Sequence, residues 1–240
     1  TTTRFGQPEK NVEISSNAVA FTDVANNCIM MLDFVLEQVT TLVQLSVPLV
    51  GITMKPDSEE LIFSYSGGLG KVNFRTLDVE YTTQTNNIGY RDGTLDATPA
   101  TGAIFSRKPE ELLFVSNKVM VVADLYNHML RIVDYQNFLV SSVCDPASNG
   151  SVSHIRAGNI TFCRLSFPRS LLYLPGTNRI LIGFHQSLGY IEVSSSPTTL
   201  PSTPTARMTS TSKVQPTPQS VGLPVKSSVT TRQPVQLECE

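Results

Sequence analysis

Three histidines, His128, His154 and His185, are the side chains of this sequence best suited to hold a metal ion. A catalytic zinc site usually takes three protein ligands, and these histidines lie in different segments of the chain, so a metal shared on a central axis is one hypothesis. However, His128 occupies a structural position of a repeated motif, and His154 lies in a polar loop. No ring of histidine and acidic residues accompanies them, so we predict neither a metal site nor a cofactor.

Other patterns that could support catalysis are also incomplete, and we predict no catalytic residue. The segment Ser66-Gly67-Gly68-Leu69-Gly70 is glycine-rich but lacks the Lys-Ser/Thr end of a phosphate-binding loop, which favours a hairpin turn. The pairs Glu59-Glu60 and Glu110-Glu111 each precede an apolar run, which indicates a repeated turn more than a pair of catalytic carboxylates.

The cysteine spacing matches no zinc-binding pattern. Cys144 and Cys163 bracket a polar segment rich in turn formers and are candidates for a disulfide, although four cysteines allow three complete pairings. Cys28 lies in an apolar run and is interpreted as a buried free thiol. Cys239 is the fourth cysteine of the chain.

Two sequons for N-glycosylation lie near the candidate disulfide, at Asn149 and Asn159. A chain of this length contains such triplets by chance, so each is weak evidence alone. Together with the composition of the C-terminal segment described below, they favour a secreted or extracellular location.

Composition argues against two classes of partner. Only 16% of the residues are charged and the net charge is −2, so no basic surface is available for nucleic acid. No apolar run reaches the ~18 residues of a membrane-spanning helix. The longest candidate, residues 42–54, is interrupted by polar residues, Pro48 and Gly51, and is predicted to form a strand, a turn and a second strand.

The composition changes after Val193. In residues 194–234 more than half of the positions are Ser, Thr or Pro and no residue is acidic. Such a segment buries too little apolar surface to offset the entropy of ordering it, and it is typical of an O-glycosylated stalk or of a linker. Residues 235–240 alternate apolar and polar side chains, which suggests the start of a further domain and favours a fragment of a longer protein.

Residues 1–193 are predicted to be all-β, because short apolar runs alternate with turn formers and no long helical period occurs. The run from Ala20 to Asp33 aligns without a gap with the run from Val121 to Asp134. A second pair aligns Leu61 to Phe74 with Ile180 to Val193. Equivalent points then fall near Asp23, Tyr65, Asp124 and Phe184, with spacings typical of four-stranded propeller blades.

One of these repeats resembles the NHL family of β-propellers. Gly89-Tyr90-Arg91-Asp92-Gly93 precedes Ala103-Ile104-Phe105-Ser106-Arg107-Lys108-Pro109, and a strand ending in Ala123-Asp124 leads to Asn127-His128 and Arg131-Ile132. The repeat around Asp23 keeps Asp23 and Asn26, but it has Asn27 in place of the histidine and Met30 in place of the arginine. The repeats around Tyr65 and Phe184 are more diverged.

The signature residues are interpreted as structural. Asp92 and Gly93 are predicted to form a turn in which glycine supplies a positive φ angle. Asp124 and Asn127 are expected to bond the local backbone and to close the hairpin between two strands. His128 and Arg131, like Asp23 and Asn26 of the first repeat, are assigned to the same structural motif.

The resemblance implies a partial propeller of about four blades, whose open ends would be completed by further sequence or by another chain. We expect a non-catalytic interaction, adhesion or matrix component that binds an extracellular protein or glycan. The alternative, a metal-dependent lyase or hydrolase acting at the propeller axis, rests on analogy with other NHL propellers alone.

Overall fold

The computed structural model describes residues 6–85, 87–143, 165, 167–174, 176–184, 188–192 and 207–210. Within them the chain is all-β, apart from one three-residue 3-10 turn, Leu125–Asn127. None of the described segments is a helix with the length and apolarity needed to cross a membrane.

Four antiparallel sheets follow one another along the chain and are the four blades of a propeller-like fold. Blade 1 contains β1 (Pro8–Ser15), β2 (Ala18–Asp23), β3 (Cys28–Asp33) and β4 (Gln38–Gln44). Blade 2 contains β5 (Leu49–Met54), β6 (Glu60–Tyr65), β7 (Gly68–Asn73) and β8 (Val79–Tyr81). Blade 3 contains β9 (Gly93–Thr94), β10 (Pro109–Phe114), β11 (Val119–Asp124), β12 (Met129–Asp134) and β13 (Leu139–Ser142). Blade 4 contains β14 (Ser170–Leu174), β15 (Arg179–Gly183), β16 (Leu188–Glu192) and β17 (Arg207–Ser210).

The blades are arranged in an arc. The first long strand of each blade packs on that of the next, β1 on β5, β5 on β10 and β10 on β14. Three apolar clusters fill the spaces between blades 1 and 2, blades 2 and 3, and blades 3 and 4. Among the described residues, blades 1 and 4 share no comparable contact, so one face of blade 1 and one face of blade 4 are the ends of the arc.

A middle blade buries both faces of its sheet. In β11, Met120 and Val122 pack towards blade 2, whereas Val121 and Ala123 pack towards blade 4. Neighbouring residues of a strand point to opposite faces, so a strand covered on both faces must be apolar at successive positions. This explains why β11 reads as a continuous apolar run and not as an alternating one.

The repeat spacing predicted from the sequence is confirmed. Asp23, Tyr65 and Asp124 are the last residues of β2, β6 and β11, and Phe184 directly follows β15. The strand, turn and strand predicted for residues 42–54 are also present, but β4 and β5 belong to different blades, so the turn between them is a connection from one sheet to the next.

Two strands, β9 and β17, lie where no sequence pattern indicated a strand. The short strand β9 adds a fifth strand to blade 3 by pairing with β13. β17 pairs with β16 and lies inside the Ser/Thr/Pro-rich segment, so blade 4 extends beyond residue 193, the boundary predicted from composition. Every residue has a backbone carbonyl, and every residue except proline has an N–H, that can bond the open edge of β16, so composition does not reveal this pairing.

Candidate functional site

The hairpin between β11 and β12 is built around a buried carboxylate, Asp124. After β11 the chain makes a 3-10 turn and passes through His128 in a left-handed conformation with φ of 56° before β12 begins. Asp124 is fully buried and accepts hydrogen bonds from the Ser106 backbone N–H (3.0 Å) and the Asn127 side-chain amide (2.8 Å). Arg131 adds an ion pair at 3.3 Å. Burial raises the pKa of the Asp124 carboxyl, and the Arg131 charge and these hydrogen bonds act against that rise.

Asp124 and Asn127 hold the preceding loop and not only the hairpin that contains them. The Asn127 amide donates to the carbonyl of Gly89 at 2.6 Å, and the Asp124 carboxylate holds the backbone of Ser106. The expectation that these two side chains bond the local hairpin backbone therefore misses their main role. They anchor the long connection between blades 2 and 3, which lies 18 to 38 positions away in the sequence.

Arg131 is the centre of this network and has no exposed side-chain surface. Its guanidinium donates to the carbonyls of Ile104 (2.9 Å) and Arg91 (2.8 Å), and it pairs with Asp92 at 2.9 Å. Asp92 in turn accepts hydrogen bonds from the backbone N–H and the hydroxyl of Ser142 in β13. A buried arginine requires such compensation, because an unpaired buried charge is strongly destabilising.

Two aromatic rings enclose the same guanidinium. It lies 4.8 Å from the ring centre of Phe105 and 5.2 Å from that of Tyr90. Phe105 is buried, whereas the Tyr90 side chain is exposed. Arg131 therefore contacts the exposed ring of Tyr90 from the buried side and helps to position it.

Gly93 has a different role from the one predicted. It lies in β9, paired with Val140, and does not adopt a positive φ angle. Glycine is required because a Cβ atom would collide with the carbonyl oxygen of Thr101. The close approach of two backbone segments, and not a left-handed turn, selects glycine here.

The loops above blade 3 carry exposed apolar and aromatic side chains. Tyr126 is 54% exposed, and its ring lies 6.4 Å from that of Phe167 in an edge-on arrangement. The His128 ring lies 4.3 Å from the same phenylalanine, and the Phe167 N–H donates to His128 Nδ1. The Asn127 amide bonds the carbonyl of Gly89, which connects this turn to the loop that carries the exposed side chains of Ile88 and Tyr90. We call this surface the aromatic face, defined by Ile88, Tyr90, Tyr126, His128 and Phe167.

Sequence reasoning missed the aromatic face, although two signals for it were present. Tyr90 and Tyr126 each stand inside a predicted turn, where polar and small residues are usual, and an aromatic residue in a turn has no core position to fill. The position of Phe167 carried no comparable signal, because the contact with His128 joins residues 39 positions apart.

The aromatic face offers no metal site in the described part of the chain. No group of three histidine, cysteine, aspartate or glutamate side chains comes together among those residues. Burial lowers the pKa of His128, which favours a neutral ring packed on Phe167. His154 and His185 lie outside the described residues.

Blade 1 carries a second version of the carboxylate motif. Asp23 accepts hydrogen bonds from the backbone N–H groups of Gly6 (2.9 Å) and Gln7 (2.8 Å) and from the Asn26 amide (2.8 Å). Burial acts to raise the pKa of Asp23, but these hydrogen bonds outweigh it, and the pKa is lowered. Asn27 adopts the left-handed conformation that His128 has in blade 3.

The two glutamate pairs do not mark a repeated turn, and that prediction is wrong. Glu60 begins the second strand of blade 2, whereas Glu110 lies in the first long strand of blade 3. The glutamates form ion pairs with different basic partners: Glu59 with Arg75, Glu60 with Lys55 and Lys71, Glu110 with Lys108, and Glu111 with Lys10.

The remaining predicted positions divide into two groups. The glycine-rich segment forms the expected hairpin between β6 and β7, with Gly67 at φ of 98°, and Cys28 is a buried free thiol. The candidate disulfide Cys144 and Cys163, the glycosylation candidates Asn149 and Asn159, and Cys239 lie outside the described residues.

Comparison with known proteins identifies the fold. A structural-genomics protein from Bacteroides thetaiotaomicron is 17% identical, with a TM-score of 0.61 over 75% of this chain and 45% of the other. An auxiliary nutrient binding protein from the same species is 15% identical, with a TM-score of 0.57 over 72% and 45%. The calcium-binding protein regucalcin from Agrobacterium tumefaciens is 10% identical, with a TM-score of 0.56 over 87% and 60%.

These similarities show a shared propeller architecture and not a shared function. The chain spans less than half the length of the two Bacteroides proteins. No family model matches the sequence, and no curated protein matches it, so the NHL resemblance rests on the motif residues themselves.

Proposed function

We propose that this chain is a non-catalytic extracellular interaction, adhesion or matrix component, and that its NHL-like propeller is the binding scaffold. The observation that carries the proposal is the aromatic face, because the exposed Tyr90 packs there on the buried Arg131 and the exposed Tyr126 lies in the turn that follows the buried Asp124. Tyrosine supplies a large contact area at low entropic cost, and interfaces are enriched in it.

Rigidity is the reason to assign binding to this face. Arg131 fixes Tyr90 from below, and Asn127 joins the loop of Gly89 to the loop that carries Tyr126. A surface that is ordered before binding avoids part of the entropic cost of association. The buried hydrogen bonds therefore support partner binding by holding the loops of the aromatic face in place. A repeat motif whose residues are structural in each blade can contribute to binding in this way.

An extracellular location is supported by the two sequons and by the Ser/Thr/Pro-rich sequence, of which the part after β17, residues 211–234, would hold the blades away from a surface or matrix. One structural relative is an auxiliary nutrient binding protein, so a role in binding is compatible with the shared fold. For this chain we propose a protein or glycan partner, because a net charge of −2 with only 16% charged residues does not favour nucleic acid.

The test is binding of the full chain to an array of glycans and extracellular matrix proteins. We compare the wild type with Tyr126→Ala, and the matched control is Phe138→Ala. Phe138 is 62% exposed and lies in the hairpin between β12 and β13, at the opposite end of the strands of blade 3. Truncation of a central aromatic contact typically weakens binding by 2 kcal/mol or more, about 30-fold.

We expect Tyr126→Ala to lose the signal and Phe138→Ala to retain it. Equal binding signals from Tyr126→Ala and Phe138→Ala would show that the aromatic face is not the binding site. Metal analysis of the same samples separates the enzyme alternative, since zinc or calcium bound in equal amount to the chain would favour a metal-dependent lyase or hydrolase.

A further inference from the structure

The hairpin between β2 and β3 ends in a left-handed residue that bonds the entry to the next blade. This residue is Asn27, whose side-chain oxygen accepts a hydrogen bond from the backbone N–H of Leu49 at 3.2 Å. Leu49 is the first residue of β5, the strand that begins blade 2. The Asn27 side chain therefore joins the turn of blade 1 to the start of blade 2.

Blades 2 and 3 make the same junction with different chemical groups. In blade 2, Gly67 uses its backbone, which donates to the carbonyl of Ser106 at 2.9 Å and accepts from the N–H of Phe105 at 3.2 Å. In blade 3, His128 Nδ1 accepts from the backbone N–H of Phe167 at 3.4 Å, shortly before β14 begins. Among the three junctions that the structure describes, the one between blades 3 and 4 therefore depends on an imidazole.

An imidazole differs from an amide or a carbonyl because it titrates near neutral pH. His128 Nδ1 can accept the hydrogen bond from Phe167 only in the neutral ring, whose proton is then on Nε2. In the imidazolium both nitrogens carry a proton, so Nδ1 would present a second donor to the Phe167 N–H. Protonation therefore converts this hydrogen bond into a repulsive contact.

The backbone of Phe167 is itself strained. Its φ of 50° lies in the left-handed region that bulky residues rarely adopt, and it precedes Pro168, which favours extended backbone in the residue before it. Phe167 is held there by the hydrogen bond to His128, by the ring contact with His128 at 4.3 Å and by the edge-on contact with Tyr126. When the hydrogen bond is lost, the strain favours release of the segment.

We propose that the junction between blades 3 and 4 is a pH-sensitive switch of the aromatic face, in which protonation of His128 releases Phe167. The junctions made by Asn27 and Gly67 stay closed, because an amide and a backbone group do not titrate in this range. Release removes Phe167 from the aromatic face and the ring contact from Tyr126. The consequence for binding rests on the function proposed above, whereas the release itself does not.

Burial sets the direction of the pH dependence. It lowers the pKa of His128 below the ordinary value of 6.5, so the closed junction favours the neutral ring. The opened junction therefore binds more protons than the closed one at acidic pH. The junction keeps its full stability above about pH 6.5 and loses it as the pH falls from that value towards the pKa of the closed state.

The carboxylates near the turn of His128 are already paired. The charged and titratable side chains on the neighbouring elements are Asp124, Tyr126 and Arg131 of the same hairpin, Tyr90, Asp92 and Lys108 of the connection to blade 3, Glu110 and Glu111 of β10, and Arg169 beside Phe167. The acidic members pair as follows: Asp92 and Asp124 with Arg131, Glu110 with Lys108, and Glu111 with Lys10. None of these carboxylates is left unpaired to stabilise an imidazolium.

The test is an NMR titration of the full chain from about pH 7.5 to about pH 5, the range in which histidine titrates. We expect the amide signal of Phe167 to move with the titration of the His128 ring. Its protection from hydrogen exchange, corrected for the intrinsic pH dependence of exchange, should fall by about 2- to 10-fold, the range for loss of one hydrogen bond. The amide of Leu49, which Asn27 holds, is the internal control and should keep its protection.

His128→Asn is the matched variant, because asparagine stands at this position in blade 1 and tolerates the left-handed backbone. Its amide oxygen accepts a hydrogen bond without titrating, so the protection of Phe167 should not change with pH. The variant also identifies the His128 ring signal among the three histidines. Loss of Phe167 protection with the same midpoint in the variant would overturn the proposal, because another group would then be titrating.

Two results in the wild type would also overturn the proposal. One is a Phe167 amide whose signal and protection do not respond to the titration of His128. The other is a pKa of His128 above 6.5, since the contact with the Phe167 ring would then favour the charged form.

The array of glycans and extracellular matrix proteins, read with the full chain at both ends of the pH range, tests the consequence for binding. We expect the wild-type signal to fall at acidic pH by a larger factor than that of His128→Asn. A wild-type signal that persists while the Phe167 amide is released would overturn regulation of the aromatic face. An array without signal at either pH would contradict the proposed function, and the NMR titration would still decide whether the switch exists.

Discussion

Blades 1 and 3 place an aspartate at the same point, the end of the second long strand, but hold it by different means. Asp23 is bound by two backbone N–H groups and the Asn26 amide, whereas Asp124 takes one backbone N–H, an amide and the guanidinium of Arg131. Met30 stands in blade 1 where Arg131 stands in blade 3, and it is buried without an ion pair.

This difference shows that the aspartate does not require the arginine. In blade 1 the segment that enters β1 reaches the carboxylate with its own backbone. Blade 3 is preceded by a long connection, residues 82–108, and most of the hydrogen bonds of Arg131 go to that connection. The arginine therefore holds a loop, and the loop carries part of the aromatic face.

The largest expected effect comes from making blade 3 like blade 1 with Arg131→Met. The change leaves Asp124 buried beside an apolar side chain and removes the donors for Ile104, Arg91 and Asp92. We expect the free energy of unfolding to fall by about 3–5 kcal/mol, as when one partner of a buried ion pair is removed. Urea denaturation measures this value.

The double variant with Asp124→Asn is the control for Arg131→Met. The double variant removes the uncompensated charge. Its decrease in the free energy of unfolding should therefore be smaller than the sum of the decreases in the two single variants, by about 1 kcal/mol or more. Additive losses would show that the ion pair is not coupled and that the arginine acts on the loop alone.

A smaller effect is expected from Gly93→Ala in the connection of blade 3. A Cβ atom there meets the backbone of Thr101, which cannot move without shifting β9. We expect a loss of about 1–3 kcal/mol, the usual cost of overpacking. A loss below about 0.5 kcal/mol, the usual range of a substitution that meets no neighbour, would contradict the close approach.

The smallest effect, and the one that depends on pH, belongs to Asp23→Asn in blade 1. The hydrogen bonds to its carboxylate should be worth about 1–2 kcal/mol near pH 7. Because the pKa of Asp23 in the folded state lies below the ordinary value of 3.8, this stability is present above that value and is lost as the pH falls through the folded pKa.

The measurement for Asp23 is the free energy of unfolding of the wild type and the variant from neutral to acidic pH. The two curves should converge on the acid side. A constant difference between them would mean that the carboxylate charge contributes nothing and that only the shape of the side chain matters.

The sequence by itself determined the blades. Strands show as apolar runs with turn residues between them, and equivalent points such as Asp23 and Asp124 recur at a fixed place in each repeat, because strand formation and turn chemistry depend on neighbouring residues. The buried thiol of Cys28 was predicted for the same reason, since it lies inside one such run.

Only the tertiary structure decided what the motif residues hold. The contacts of Arg131 with Asp92 and of His128 with Phe167 join residues 39 positions apart, and no local pattern encodes them. Likewise the sequence around Gly93 is that of a turn glycine, and only the structure shows the backbone of Thr101 against it. Leu172 lies in an apolar run typical of a buried strand, but its side chain is 57% exposed. Local patterns specify which residues form strands, but the cover over each face depends on how the blades pack.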